Sequence, residues 1–115
     1  MQRFLKLLFA APSAASLSAQ LAFAHASLDH SVPGVGTTVN GSVREIRISF
    51  TQGVVTAFSH VTVVSASGAQ IPASTVNDPS DQQIIIDRLG RALGPGTYSV
   101  TWQVVSVNTH TTQGT

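Results

Sequence analysis

Apolar residues alternate with polar ones along much of the chain after residue 42, and a period of two is the pattern of a β-strand. In the segment REIRISF, Ile46, Ile48 and Phe50 alternate with charged and hydroxyl side chains. This alternation predicts a strand with one buried and one solvated face. The segment SHVTVVSA places Val61 and Val63 on one side in the same way, so it predicts a second strand.

Two later segments predict further strands. The run Ile84–Ile86 in QQIIID is unbroken, which indicates a strand buried on both faces. The segment TYSVTWQVVSV is expected to be the longest strand, with one apolar face formed by Tyr98, Val100, Trp102 and Val104. The preceding residues 93–98, LGPGTY, resemble the tyrosine corner of immunoglobulin-like sandwiches.

The strand segments are short and separated by clusters of Gly, Pro, Asn and Ser, and no long helical period interrupts them. This spacing predicts an all-β sandwich or barrel. The stretch SASGAQIPASTVNDPSDQQ is interpreted as a loop. Trp102 is assigned to the core.

Residues 1–24 have the layout of a secretory signal peptide, with Arg3 and Lys6 before an apolar stretch that ends in small residues. A membrane anchor is the alternative, but Pro12 and several polar residues interrupt the segment. Cleavage after Ala24 would make His25 the first residue. A second small-x-small site would instead leave Ser27 first, and the sequence leaves both registers open.

Removal of the first 24 of 115 residues leaves 91, which suits one domain over residues 25–115. The domain is expected to be soluble and has no cysteine, so no disulfide can stabilise it. Its ionisable side chains comprise four basic and five acidic residues, without a basic cluster. We therefore expect no nucleic-acid partner.

A chain that begins with His25 carries a free amine and an imidazole on one residue. The amine and Nδ1 can close a six-membered ring around a metal, and nitrogen donors in a planar array suit Cu(II). A free α-amino group titrates near about 7.7–8.0, so metal affinity should rise with pH until its proton is lost. Signal-peptide cleavage would thus create the ligand.

Three segments in order, HASLDHSVPGVGTTV, IRISFTQGVVTAFSHVTV and LGPGTYSVTWQVVSVNTHTTQGT, resemble CopC-like periplasmic copper-binding proteins over nearly all of residues 25–115. The resemblance implies an immunoglobulin-like Greek-key β-sandwich and a role in copper resistance or homeostasis, without enzymatic activity. It also implies one Cu(II) ion held in a histidine brace formed by His25 and His110.

Two residues depart from the family pattern. Asn108 stands where the family usually has an aspartate ligand, and Gln52 stands where it has a glutamate that supports the site. An amide oxygen is a neutral and weaker donor, so Asn108 is at most a weak ligand. We therefore expect weaker copper binding than in family members that carry both carboxylates.

The remaining histidines and the methionine content limit further metal sites. His30, five residues after His25 in the expected first strand, and His60 are interpreted as surface residues. Some family members hold Cu(I) with methionine thioethers, but Met1 is the only methionine and belongs to the predicted signal peptide. The sequence therefore predicts Cu(II) only.

Where this sequence reaches Gly114 and Thr115, proteins of the family continue into one more strand that closes the sandwich beside the Trp102 strand, and we expect that strand to be missing here. Either the sequence is a fragment, such as the start of a fusion to an inner-membrane copper-transport domain, or a sheet edge is exposed. A separate inner-membrane copper-transport protein is the other candidate partner, and the oligomeric state is left open. Two alternative functions are a metal-free immunoglobulin-like interaction module and a small copper oxidative enzyme.

Overall fold

The computed structural model describes residues 25–115, so the predicted signal peptide lies outside the described residues. The described part consists of β-strands and one 3₁₀ turn at Thr56–Phe58. The strands are Leu28–Val32 (β1), Val43–Phe50 (β2), His60–Ser65 (β3), Gln70–Ile71 (β4), Ala73–Asp78 (β5), Asp81–Leu93 (β6), Tyr98–Val105 (β7) and Thr111–Gly114 (β8).

The strands form two four-stranded antiparallel sheets. One has the order β1-β2-β6-β5 and the other the order β4-β3-β7-β8. The chain crosses between the sheets after β2, β4 and β6, so neighbours such as β2 and β6 are distant in sequence, as in Greek-key folds. The predicted all-β sandwich is confirmed. Within residues 25–115, no helix is long and apolar enough to cross a membrane.

The alternation of apolar residues predicted the core correctly. Ile46, Ile48 and Phe50 of β2 are all at most 5% exposed. Trp102 of β7 packs against Phe50 edge to face, with ring centroids 5.1 Å apart, and Val104 is fully buried. The inner faces of the two sheets therefore meet over a continuous apolar layer, which is the principal source of stability in a domain without disulfides.

Two predictions about the strands, one on length and one on position, were wrong. The expected longest strand, β7, has 8 residues, whereas β6 has 13 because it continues past Asp87 to Leu93. The stretch interpreted as a loop contains β4 and β5. β5 carries few apolar residues, and its pairing with β6 along Ala73–Asn77 rather than an apolar pattern makes it a strand.

The expectation that the strand beside the Trp102 strand is missing was also wrong. β8 pairs with β7 from Thr111, opposite Val105, to Gly114, opposite Trp102. Its half-buried positions are Thr112 and Gly114, and at Gly114 a Cβ would lie 2.5 Å from the indole of Trp102. Short strands built from such residues lack the alternating apolar signal on which the sequence prediction depends.

The tyrosine corner predicted before β7 is present. The hydroxyl of Tyr98 donates a hydrogen bond to the carbonyl of Gly94 at 2.8 Å. Gly96 lies between them with φ of +145°, a backbone conformation that favours glycine. The corner fixes the connection that carries the chain from β6 in one sheet to β7 in the other.

Candidate metal site

One end of the sandwich gathers the segments that carry the predicted ligands. At this end β2 finishes at Phe50 opposite the start of β1, and β7 finishes at Val105 opposite the start of β8. A backbone bridge between Val54 and Ser106 connects the two sheets here, and the amide of Val55 donates to the carbonyl of Val105 at 2.8 Å. The residues around 25, 52 and 110 therefore converge although they are far apart in sequence.

His110 lies in the turn between β7 and β8, and fully buried Ser106 holds this turn. The backbone amide of Ser106 donates to the carbonyl of His110 at 2.9 Å, and the amide of His110 donates to Oγ of Ser106 at 3.3 Å. Thr109 adopts φ of +69°, which tightens the turn, and its amide donates to the carbonyl of Ser106. Ser106 therefore holds both the amide and the carbonyl of His110.

Residues 25–27, here called the N-terminal arm, pack against both sheets. Ala26 is completely buried, and its carbonyl accepts a hydrogen bond of 2.7 Å from Oγ1 of Thr112 on β8. Ser27 exchanges two hydrogen bonds of 2.9 Å with Thr51 at the end of β2, one through the hydroxyl of Thr51 and one through its amide. The arm is therefore an ordered part of the sandwich, and His25 is the residue at its exposed tip.

The structure brings the side chains of His25 and His110 into contact. Their ring centroids are 4.6 Å apart and the ring planes are inclined by 60°. Two nitrogens bound to one metal ion lie within about 4 Å of each other, because each metal–nitrogen bond is about 2 Å long. Rings whose centroids lie 4.6 Å apart can present nitrogens at such a spacing, so this pair is the candidate set of nitrogen ligands.

Asn108 and Gln52 form a hydrogen-bonded amide pair next to these segments. Nδ2 of Asn108 donates to Oε1 of Gln52 at 3.0 Å. Asn108 is in the same turn as His110, and Gln52 directly follows Thr51, which binds the arm. Because the hydrogen bond uses the NH₂ group of Asn108, the carbonyl oxygen is the atom that this amide can offer to a metal.

The other histidines lie apart from this pair. His30 is an exposed residue of β1 whose Nδ1 lies 2.9 Å from a carboxylate oxygen of Asp29. His60 is exposed at the start of β3, opposite Gln103. Among residues 25–115, no group of three or more His, Cys, Asp and Glu side chains could hold a metal ion.

Sequence reasoning missed the residues that hold the two histidines in place. Thr51 and Thr112 bind the arm, and Ser106 binds the turn of His110. Threonine and serine at strand ends carry no distinctive pattern, and the Thr112 bond spans 86 positions. The burial of Ala26 could have been suspected only from the small size of its side chain.

Comparison with known proteins identifies relatives over most of the described chain. Residues 28–115 match the family model described as the CopC domain. Protein YobA of Escherichia coli K12 is 35% identical over 100 residues, which cover 86% of this chain and 81% of the relative. Copper resistance protein C of Xanthomonas campestris pv. juglandis is 33% identical over 107 residues, covering 88% and 84%.

Two solved structures have a similar fold. CopC from Methylosinus trichosporium OB3b superposes with a TM-score of 0.71 at 21% identity, over 78% of this chain and 87% of that one. PcoC, a copper resistance protein from Escherichia coli, gives a TM-score of 0.69 at 24% identity, over 76% and 92%. These two likenesses concern the fold.

Proposed function

Because the chain belongs to the CopC family, we propose that it is a periplasmic Cu(II)-binding protein for copper resistance or homeostasis, and not an enzyme. One Cu(II) ion is its cargo, bound by the amine and imidazole of His25 and the imidazole of His110. Asn108 contributes at most a weak oxygen ligand, and Gln52 supports it. This proposal takes cleavage after Ala24 as the event that exposes the amine.

The contact between the His25 and His110 rings, at a centroid distance of 4.6 Å, is the observation that carries this proposal. A residue at the tip of a frayed terminus would have no fixed neighbour, but the bonds to Ala26 and Ser27 order the arm. The site thus offers nitrogen donors from two different segments in one place, which is the donor type that Cu(II) prefers.

The lack of negative charge among the proposed ligands supports a modest affinity for Cu(II). The two positions where the family usually has carboxylates hold the amides of Asn108 and Gln52, which bring no negative charge to a dication. A carboxylate about 4 Å from the ion would add about 4 kcal/mol per unit charge at an effective dielectric near 20, before desolvation is subtracted. A protein that binds copper moderately can also release it, and an inner-membrane copper-transport protein or domain is the recipient that we propose.

The decisive experiment changes only the amine of His25. One alanine is added before His25 in the protein that otherwise begins at that residue, which turns the amine into a peptide amide. Because the chelate ring is lost, we expect Cu(II) affinity to fall by at least two orders of magnitude in a competition titration against a chelator of known strength. His25→Ala should also weaken binding strongly, and His110→Ala should weaken it less.

His30→Ala and His60→Ala are the matched controls, because both remove an exposed imidazole away from the His25–His110 pair. Both should bind copper as tightly as the parent. Equal affinity of the parent and the alanine-extended protein would refute the site, and absence of copper binding in both would favour the metal-free interaction module. The mass of the exported protein's N-terminus tests separately whether His25 or Ser27 comes first.

A further inference from the structure

The N-terminal arm is fixed to the sandwich from two opposite sides. Thr51 at the end of β2 binds Ser27 through two hydrogen bonds, and this contact belongs to the sheet that contains β1. Thr112 of β8 binds the carbonyl of Ala26, and this contact belongs to the other sheet. The Thr112 bond, at 2.7 Å, is the one nearer to His25 along the chain.

Thr112 occupies a special place in the fold because it is two residues beyond His110. The same short strand therefore begins next to one histidine and binds the segment that carries the other. In β8 alternate side chains point to opposite faces, so the half-buried side chain of Thr112 faces inward while that of Thr111 is exposed. The hydroxyl of Thr112 meets the arm at the point where the completely buried Ala26 enters the core.

We propose that Thr112 is a positioning residue, whose hydroxyl fixes the arm so that His25 stands against His110. This inference rests on the proposed function, because the purpose of the arrangement is to present His25 and His110 to one ion. A residue near a chain terminus has many conformations, and each must be given up when it binds a metal. A hydrogen bond that orders the arm in the metal-free protein reduces this loss, which is the physical meaning of a preorganised site.

Three variants of the protein that begins at His25 test the role of the hydroxyl. Thr112→Val keeps the size and β-branching of the side chain and removes the donor. Thr112→Ser keeps the donor and removes a methyl group. Thr111→Val is the matched control, because it makes the same chemical change at the adjacent exposed position of the same strand. Thermal unfolding of each metal-free variant establishes that it is folded.

The first measurement needs no copper. The ¹⁵N relaxation order parameter of the Ala26 amide should be near the value of rigid backbone, about 0.85, in the parent and in the Thr111→Val and Thr112→Ser proteins. In Thr112→Val it should fall towards the flexible range, below about 0.6.

The second measurement is a Cu(II) competition titration accompanied by electron spin resonance. Thr112→Val should bind about tenfold more weakly, the factor that corresponds to one hydrogen bond, with an altered nitrogen hyperfine pattern. Thr112→Ser and Thr111→Val should match the parent in affinity and spectrum. Parent-like copper binding in Thr112→Ser would show that the hydroxyl, and not the packing of the whole side chain, is what positions His25.

The two proposals fail in different ways. Parent-like order and parent-like copper binding in Thr112→Val would overturn the positioning role, as would equal losses in Thr112→Val and Thr111→Val. If the parent takes up no copper, the proposed function is wrong, and the role of Thr112 in presenting His25 to an ion is overturned with it. If Thr112→Val does not fold, parent-like values in Thr112→Ser support the role of the hydroxyl, and a loss in that variant overturns it.

Discussion

Asn108 and Gln52 form an uncharged pair beside the proposed ligands, and changing one atom of Asn108 tests their effect. Asn108→Asp is nearly isosteric and supplies an anionic oxygen in the turn of His110. The new carboxylate can keep its partner if the Gln52 amide turns over and donates its NH₂ group, and the terminal torsion of glutamine permits this. We expect Cu(II) affinity to rise about tenfold or more, because the Coulomb term exceeds the cost of desolvation at an exposed residue.

The measurement is a competition titration at fixed pH, with spin resonance to detect an oxygen ligand. Asn40→Asp is the control, since it adds the same charge at an exposed position near the opposite end of the sandwich. Gln52→Glu should raise affinity less, because the new carboxylate supports the site through the Asn108 amide. If Asn108→Asp binds no more tightly than Asn40→Asp, the assignment of Asn108 to the metal site is wrong.

At this same scale the sequence could predict ligands but not the residues that hold them. The chelating capacity of His25 follows from its chemistry. His110 was identified as the second imidazole ligand because its segment resembles the CopC-like proteins. Thr112 and Ser106 act through hydrogen bonds whose partners are set by the tertiary fold. A hydroxyl that binds a carbonyl 86 positions away leaves no local pattern to recognise.

The connection between β6 and β7 depends on the tyrosine corner, which gives a prediction at the scale of an element. Tyr98→Phe removes the hydroxyl that donates to Gly94 and leaves the ring in place. We expect the free energy of unfolding to fall by about 1 kcal/mol, the usual net value of one hydrogen bond. Cu(II) binding should be unchanged, because the eight-residue strand β7 separates Tyr98 from the site.

Urea unfolding of Tyr98→Phe and of Ser99→Ala measures this effect. Ser99 is the next residue of β7 and is exposed, so its truncation should change stability little. Equal stability of the parent and Tyr98→Phe would show that the corner does not hold the connection.

Strands could be predicted from the sequence where one face is clearly apolar and the other clearly polar. β2 and β7 alternate large apolar and polar residues, and both were placed correctly. β5 and β8 instead consist mainly of small polar residues, and they become strands because a neighbour offers unpaired backbone groups. Pairing of this kind depends on the whole sheet, so it could not be read from either segment alone.

For the molecule as a whole, the described core contains one carboxyl group that lacks full hydrogen bonding. Asp87 is 0% exposed and lies between Ile46 of β2 and Thr75 of β5. Its Oδ1 accepts a hydrogen bond of 3.0 Å from Thr75, whereas Oδ2 is buried without a partner. Burial raises the pKa of Asp87 above its ordinary value of 3.8, and the Thr75 hydrogen bond partly opposes this.

Asp78 has the opposite shift and serves as a contrast. Hydrogen bonds from the backbone and hydroxyl of Ser80, together with Arg47, lower the pKa of Asp78. Asp78 therefore contributes stability above pH 3.8 that is lost as the pH falls through its folded pKa. Folding therefore favours the ionised form of Asp78 and the protonated form of Asp87.

The two carboxyl groups predict opposite effects of amide substitution on the pH dependence of stability. The folded state binds the proton of Asp87 more tightly than the unfolded state does, so the stability linked to Asp87 is present below pH 3.8 and is lost as the pH rises through its folded pKa. Asp87→Asn cannot ionise, so its free energy of unfolding should increase relative to the parent as the pH is raised from about 4, until the folded Asp87 has ionised.

Asp78→Asn should instead become less stable than the parent as the pH is raised towards 3.8. For the buried Asp87, each pKa unit between the folded and unfolded states corresponds to about 1.4 kcal/mol. Urea unfolding in steps of half a pH unit follows both trends. A difference between Asp87→Asn and the parent that stays constant from pH 4 to about 8 would show that Asp87 titrates as it does in the unfolded chain.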